Sequence, residues 1–277
     1  MPYDSLSLQR ADGFAEMVFA KTKSRTGLVH LYQHDPCRVL FPQAEPGNPP
    51  TAVVLTTSGG VTGGDRLRLS IAARDGAAAT VISQAAEKVY RSLGPDCRMD
   101  ISAEVGKAWL EWLPQETILF DGARLRRNTC VDVAAGGQFL ACEMLVFGRI
   151  ARGERYATGL LHDGWRVLRG GHLTWVDVLR LDGAIADTID HASAFGGATS
   201  VASAIYVADD GPSHLEAARS LAARAEGRAG VTCVNGVLLA RFLGEAETVR
   251  RDLTSYLAEC RHLFGGLPPR LPRVWYN

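Results

Sequence analysis

Arg66-Leu67-Arg68-Leu69-Ser70-Ile71, then Asp75-Gly76, then Ala77-Ala78-Ala79-Thr80-Val81-Ile82-Ser83 reads as strand, turn and returning strand. Leu67, Leu69 and Ile71 fall on one side of the first run and Arg66, Arg68 and Ser70 on the other, the period of a half-buried strand. The same layout recurs downstream. Gly76, Gly106 and Gly137 lie 30 and 31 residues apart. Each follows an apolar run (69–73, 101–105, 131–135) and precedes a small or apolar one (77–82, 108–113, 139–147). Gly171, between Val167-Leu168 and Leu173 to Leu179, reads as a fourth member. A recurring strand–turn–strand unit points to stacked sheets or an irregular β-solenoid. The expected fold is mainly β, a stacked-strand, β-helix-like two-layer architecture with two α-helices in the C-terminal half.

Upstream of the repeat, 1–13 is polar and without periodicity, and a loose arm is expected there. Two short strands flank Lys21–Gly27, and the proline-rich 42–50 is a loop. Thr51 to Thr57 is a further strand. Asp121-Gly122, Asp163-Gly164 and Asp182-Gly183 read as hairpin punctuation, with strands running to about Val207. Ser213 with Glu216 forms a capping box for a helix from Leu215 to Glu226, closed by Gly227. A strand pair over 232–242 turns at Asn235-Gly236. Glu245 to Phe264 is the longest helix, with Val249, Leu253, Tyr256, Leu257 and Cys260 on one face and Gly265-Gly266 ending it. The tail, 267–277, holds three prolines and is expected to be extended. No disordered linker divides the chain, so 1–277 reads as one domain.

Totals exclude several classes. Lys plus Arg equals Asp plus Glu at 30 each over 277 residues, so no broad basic field exists to hold nucleic acid or an anionic membrane. No apolar run approaches the roughly 20 residues of a membrane span, and the N-terminus lacks a signal-peptide layout. A cytoplasmic protein is expected. Near-neutral charge favours association with partners. The six cysteines form no CxxC pair, so no zinc knuckle or thioredoxin motif is present.

Within 55–147, three polar segments follow strand-like runs: Thr57 to Asp65, Gln84 to Arg91, and Glu111 to Gly122. Gly59-Gly60-Val61-Thr62-Gly63-Gly64-Asp65 is not a phosphate loop, because Asp65 stands where that motif needs lysine. Asp65 either caps a wide turn or points into a shared polar space. Glu111, Glu116, Asp121 and Glu143 adjoin apolar strands; each faces solvent, sits in a buried network, or lines an acidic path suited to weak, transient metal contact. Gln84 and Gln115 would add amide oxygens. Lys88, Tyr90 and Arg91 are either an ordinary strand edge or a contact for an acidic partner loop. The seven histidines form no cluster, and no Ser-His-Asp order or GxSxG elbow appears. Paired carboxylates would also suit a β-helical carbohydrate-active enzyme, the alternative reading.

Gly63-Gly64-Asp65-Arg66-Leu67, Gln84-Ala85-Ala86 with Lys88-Val89-Tyr90-Arg91, and Glu111-Trp112-Leu113-Pro114-Gln115-Glu116-Thr117-Ile118 with Phe120-Asp121-Gly122-Ala123 resemble the urease accessory protein family UreD, also called UreH. Glu143, Gly148-Arg149, Gly153-Glu154-Arg155 and Pro272-Arg273-Val274-Trp275 match the same family. The resemblance covers the chain from Phe14 onward. One departure is Thr57-Ser58-Gly59-Gly60, where many members have Pro-Pro-Gly-Gly. The resemblance implies a non-enzymatic chaperone that binds the urease apoprotein and recruits UreF, which holds the GTPase UreG, and so supports lysine carbamylation and nickel insertion. It also implies a β-rich fold and a polar tunnel for transient Ni²⁺, with GTP entering only through the partner GTPase and no cofactor tightly bound. Asp65, Gln84, Glu111, Gln115, Glu116, Asp121 and Glu143 are the transit candidates.

Overall fold

The computed structural model describes residues 10–276. In chain order the strands are β1 (Asp12–Thr22), β2 (Arg25–His34), β3 (Cys37–Leu40), β4 (Thr51–Thr56), β5 (Arg66–Arg74), β6 (Ala78–Ser83), β7 (Glu87–Val89), β8 (Cys97–Val105), β9 (Trp109–Trp112), β10 (Thr117–Leu119), β11 (Arg124–Val133), β12 (Gln138–Phe147), β13 (Thr158–Arg169) and β14 (His172–Ala184). After a short helix α1 (Ile185–Asp190) come β15 (Ser200–Val207), α2 (Leu215–Ala222), β16 (Arg228–Val234), β17 (Val237–Gly244) and α3 (Ala246–Gly265).

The strands form two sheets. One runs β14-β13-β11-β8-β5-β1-β2; the other runs β16-β17-β15-β12-β9-β6-β4-β3, with β10 alongside β12 and β7 alongside β10. Each repeat unit carries the chain from the first sheet to the second: β5 to β6, β8 to β9, β11 to β12. Within each sheet these successive strands pair in parallel. The glycine at each corner is therefore a crossing between layers, and β6 is not the antiparallel return of β5. Asp75 and Gly76 both take positive φ (55° and 75°) to make one such corner. At Gly137 the corners stack so closely that a Cβ would lie 2.5 Å from the Gly106 carbonyl oxygen.

The fourth unit departs from the pattern. β13 and β14 form an antiparallel hairpin inside the first sheet, so Gly171 ends the coil instead of extending it. Asp163-Gly164 lies inside β13, and Asp182-Gly183 inside β14. The type I′ turn that an Asp-Gly dipeptide favours needs φ > 0 at both residues; neither Asp163 nor Gly164 has it. Asp121-Gly122 is a turn, but it links β10 to β11 in the other sheet. The loose arm expected over 1–13 does not extend to Asp12 and Gly13, which pair with Arg66 and Leu67; 1–9 lie outside the described residues.

Two apolar layers hold the stack. Met17, Phe19, Ile71, Leu110, Val131, Phe139 and Leu161 fill the space between the sheets. Leu113, Leu140, Phe242, Val249, Leu253 and Leu257 fill the space between the second sheet and α2 and α3. Burial follows sequence pattern accordingly. β12, covered on both faces, is buried at all but Gln138 and Glu143, whereas β5 alternates because one face meets water. The α3 face is buried as its spacing predicts, and Gly266 closes that helix in the left-handed region (φ 64°). Asn235 and Gly236 make the β16–β17 turn with positive φ.

Three further expectations give way. α2 is preceded by a 3-10 turn (Gly211–His214), so Ser213 sits inside that turn and donates to the Asp210 carbonyl. It makes no capping box, and α2 ends at Ala222, earlier than Glu226. The tail is not extended throughout: Arg273–Tyr276 form a 3-10 turn. Trp275 there is buried and donates to the Leu113 carbonyl at 3.2 Å.

Candidate functional site

The second sheet splays open at one place. β12 pairs with β9 up to Ala141↔Trp112 and with β10 from Leu145↔Thr117. Three residues of β12 (142–144) thus face four (113–116) in the next rung. That rung faces five (82–86) between Val81↔Trp112 and Glu87↔Thr117. Each rung thus carries one residue more than its neighbour, the unpaired excess of a bulge. The widened rungs are Gln84-Ala85-Ala86 and Pro114-Gln115, two of the segments singled out in the sequence.

Beneath them lies a cavity of about 240 Å³ between the sheets. Gln84, Ala85, Gly59 and Gly60 line its mouth side; Glu87, Gln115, Thr117 and Glu143 belong to its wall. Gly60 has no room for a side chain, because a Cβ would lie 2.6 Å from the Tyr90 ring. At the deep end Glu143 meets Arg127 of β11, with Nη2 3.2 Å from Oε2. Arg127 also donates through Nε to Asp163 at 2.9 Å, through Nη2 to the same carboxylate, and through Nη1 to Thr117 at 3.0 Å. The Trp165 indole N–H donates to Glu143.

The electrostatics follow from that arrangement. Two carboxylates, Glu143 and Asp163, flank one buried guanidinium. Burial, then the Asp163 charge, push the Glu143 carboxyl up to about 8 despite Arg127. Burial likewise pushes Glu87 up to about 7 and the Cys37 thiol, also on the cavity wall, to about 11. Glu143 also lines a second cavity of about 180 Å³ with Asp177, Ser203 and Arg241. One carboxylate therefore stands between two hollows.

The sequence candidates divide. Glu143, Gln84 and Gln115 line the cavity, although the Gln115 amide is held by its donation to the Val274 carbonyl at 2.7 Å. Asp65 does not. It is buried and accepts from the Ala11 amide at 2.9 Å and the Thr62 amide at 2.8 Å, the turn-capping reading. Glu111 sits on the opposite side of the second sheet, fully buried, in a two-bond pair with Arg261 of α3 (2.9 Å each). Alternation decides this: Leu110 and Trp112 face the cavity layer, so Glu111 faces the helix. Glu116 pairs with Arg250 of the same helix. Asp121 caps the start of β13, accepting from the Ala157 and Thr158 amides (3.0 and 2.9 Å). Burial raises its pKa, but those amides outweigh it and hold the carboxyl below its usual range.

Lys88 is exposed on the cavity rim. Tyr90 donates to the Gly59 carbonyl at 3.0 Å and meets Phe120 edge-on, and Arg91 lies 3.8 Å from Asp121. Arg127, Asp163, Trp165 and Glu87 escaped sequence reasoning. Parity carried the missing signal: Leu161, Asp163, Trp165 and Val167 share one face, as do Leu125, Arg127, Thr129 and Val131.

Comparison with known proteins adds a family. A family model described as UreD urease accessory protein matches residues 11–276. The chain is 41% identical over 282 residues to urease accessory protein UreD of Magnetococcus marinus, covering 99% of this chain and 97% of that one. It is 38% identical to the UreD of Azorhizobium caulinodans, over 96% of this chain and 97% of that one.

Proposed function

The chain belongs to the family of UreD urease accessory proteins, and from that premise we propose that it carries Ni²⁺ through the space between its sheets while bridging apo-urease to UreF-like and UreG-like partners. The family is one of maturation factors, not catalysts, so the carbohydrate-active alternative is set aside. The geometry agrees with setting it aside, since Glu111 and Glu143 lie on opposite faces of one sheet and cannot share a substrate.

The position of Glu143 between the two cavities is the observation that carries the reading. A cation crossing there meets the Glu143 carboxyl, with Glu87 and two amide side chains on one side and Asp177 on the other, and it must compete with Arg127 for Glu143. Oxygen donors of this kind hold a divalent cation weakly enough to release it. The raised Glu143 pKa adds a mechanism. Near neutral pH the carboxyl keeps its proton, so cation entry displaces that proton and cation exit returns it. Asp65, Glu111, Glu116 and Asp121 act in this reading as supports of the walls. The cytoplasm is the proposed site of action.

Glu143→Gln keeps the size and removes the ionisable group. Urease matured with this variant should contain several-fold less nickel than urease matured with the wild type, by elemental analysis, while the variant's melting temperature is not lowered. Full nickel loading would reject the passage.

A further inference from the structure

The outer face of the first sheet, uncovered by any helix among the described residues, carries a charge pattern that the cavity does not use. Register places Asp12, Arg66, Arg98, Arg126, His162 and Arg180 opposite one another on six neighbouring strands. Directly paired residues point to the same face, so these side chains form one straight row. With strands roughly 4.8 Å apart, the row from Arg66 to Arg126 spans about 10 Å. Arg124, two residues before Arg126, adds another guanidinium to the same face.

Much of that charge is offset on the face itself. Asp96 takes both Arg124 and Arg126, with Nε of Arg124 2.7 Å from Oδ1. Asp12 takes Arg68 at 2.8 Å, and Asp182 takes Arg180 at 3.0 Å. Asp100, the next outward residue after Arg98, accepts from Asn128. Among the described residues no carboxylate lies within ion-pair distance of Arg66 or Arg98. Both are exposed, and they line a shallow hollow of about 440 Å³ together with Asp65 and Asp96, whose oxygens are already taken by backbone amides and by Arg124 and Arg126. Like charges directly opposite one another on adjacent strands cost stability. The uncompensated charge in the row is thus confined to Arg66 and Arg98, directly opposite one another on β5 and β8.

We propose that this arginine row is a docking surface for a carboxylate-rich segment of a partner protein. Guanidinium groups match carboxylates bidentately, and a negative partner would relieve the repulsion between Arg66 of β5 and Arg98 of β8. Nucleic acid fits less well, because the nearby rings of Phe14 and Tyr32 pack against each other and Arg68 and leave no ring beside Arg66 and Arg98 for bases. The proposal is independent of the cavity reading.

The test is fluorescence anisotropy of a labelled hexaglutamate peptide titrated with the full chain. Binding should weaken at least about tenfold in the double variant Arg66→Glu with Arg98→Glu, and should fall on raising NaCl from about 20 to about 300 mM as screening shortens. Arg166→Glu, on the same face but outside the row, should bind as wild type. The double variant should melt no lower than wild type, which separates lost docking from lost folding. Three results would each overturn the proposal: no binding by the wild type, equal weakening in Arg166→Glu, or binding of an oligothymidylate as tight as that of the peptide.

Discussion

Asp65 shows how a carboxylate beside a glycine loop can serve architecture. Its two oxygens satisfy the amides of Ala11 and Thr62 and so tie the chain before β1 to the turn before β5. Asp65→Ala leaves both amides without that partner, and the expected cost is roughly 1–3 kcal/mol. Urea denaturation should show a lower midpoint at unchanged slope. A midpoint equal to wild type would return Asp65 to the list of groups kept for transit. Glu143 and Glu111 make the complementary point: both interrupt apolar strands, yet one faces the cavity and the other a helix. Strand parity separates them once the layers are known: Leu110 and Trp112 pack between the sheets, whereas Cys142 and Met144 pack toward the helices.

At the scale of elements, α3 is fastened to the second sheet by more than its apolar stripe. Arg261 is 1% exposed and binds Glu111 through two hydrogen bonds, the Asn48 side chain at 3.0 Å and the Arg270 carbonyl. One side chain thus joins β9, the 42–50 loop, the helix and the tail. Glu111→Ala strands a buried guanidinium, and the expected loss is roughly 3–5 kcal/mol. Adding Arg261→Met should not add a second full loss, because the charge left unpaired is then gone. Additive losses in that double-mutant cycle would show that the two residues are not coupled. The contact joins residues 150 positions apart, so helix periodicity legibly marked Val249, Leu253 and Leu257 but said nothing of Arg261's partner.

Over the whole molecule, the polar interior makes stability depend on pH. Burial raises Glu143 to about 8 and Glu87 to about 7 from the ordinary 4.5. A raised acid pKa means that the folded state holds its protons more tightly than the unfolded one. The stability from these groups is therefore complete below about pH 4.5 and is lost as pH rises through about 7 and then about 8. The double variant Glu87→Gln with Glu143→Gln should flatten the fall in melting temperature across that window. An unchanged pH profile would place both carboxyls in contact with water in the folded state. Burial between the sheets raises these groups, and the cavity they line sits where 142–144, 113–116 and 82–86 are unequal lengths of chain between paired strands.

From the sequence alone came the β class, the coil of strand–corner–strand units, the α3 face and the family resemblance, because each is written in local period, glycine spacing or contiguous residues. Only the tertiary structure decided that the corners cross between sheets, that Gly171 closes the coil, and that Arg127, Asp163 and Glu143 meet. Those outcomes depend on which strands lie side by side. A strand's pattern states which face is apolar, but not which neighbour will cover it.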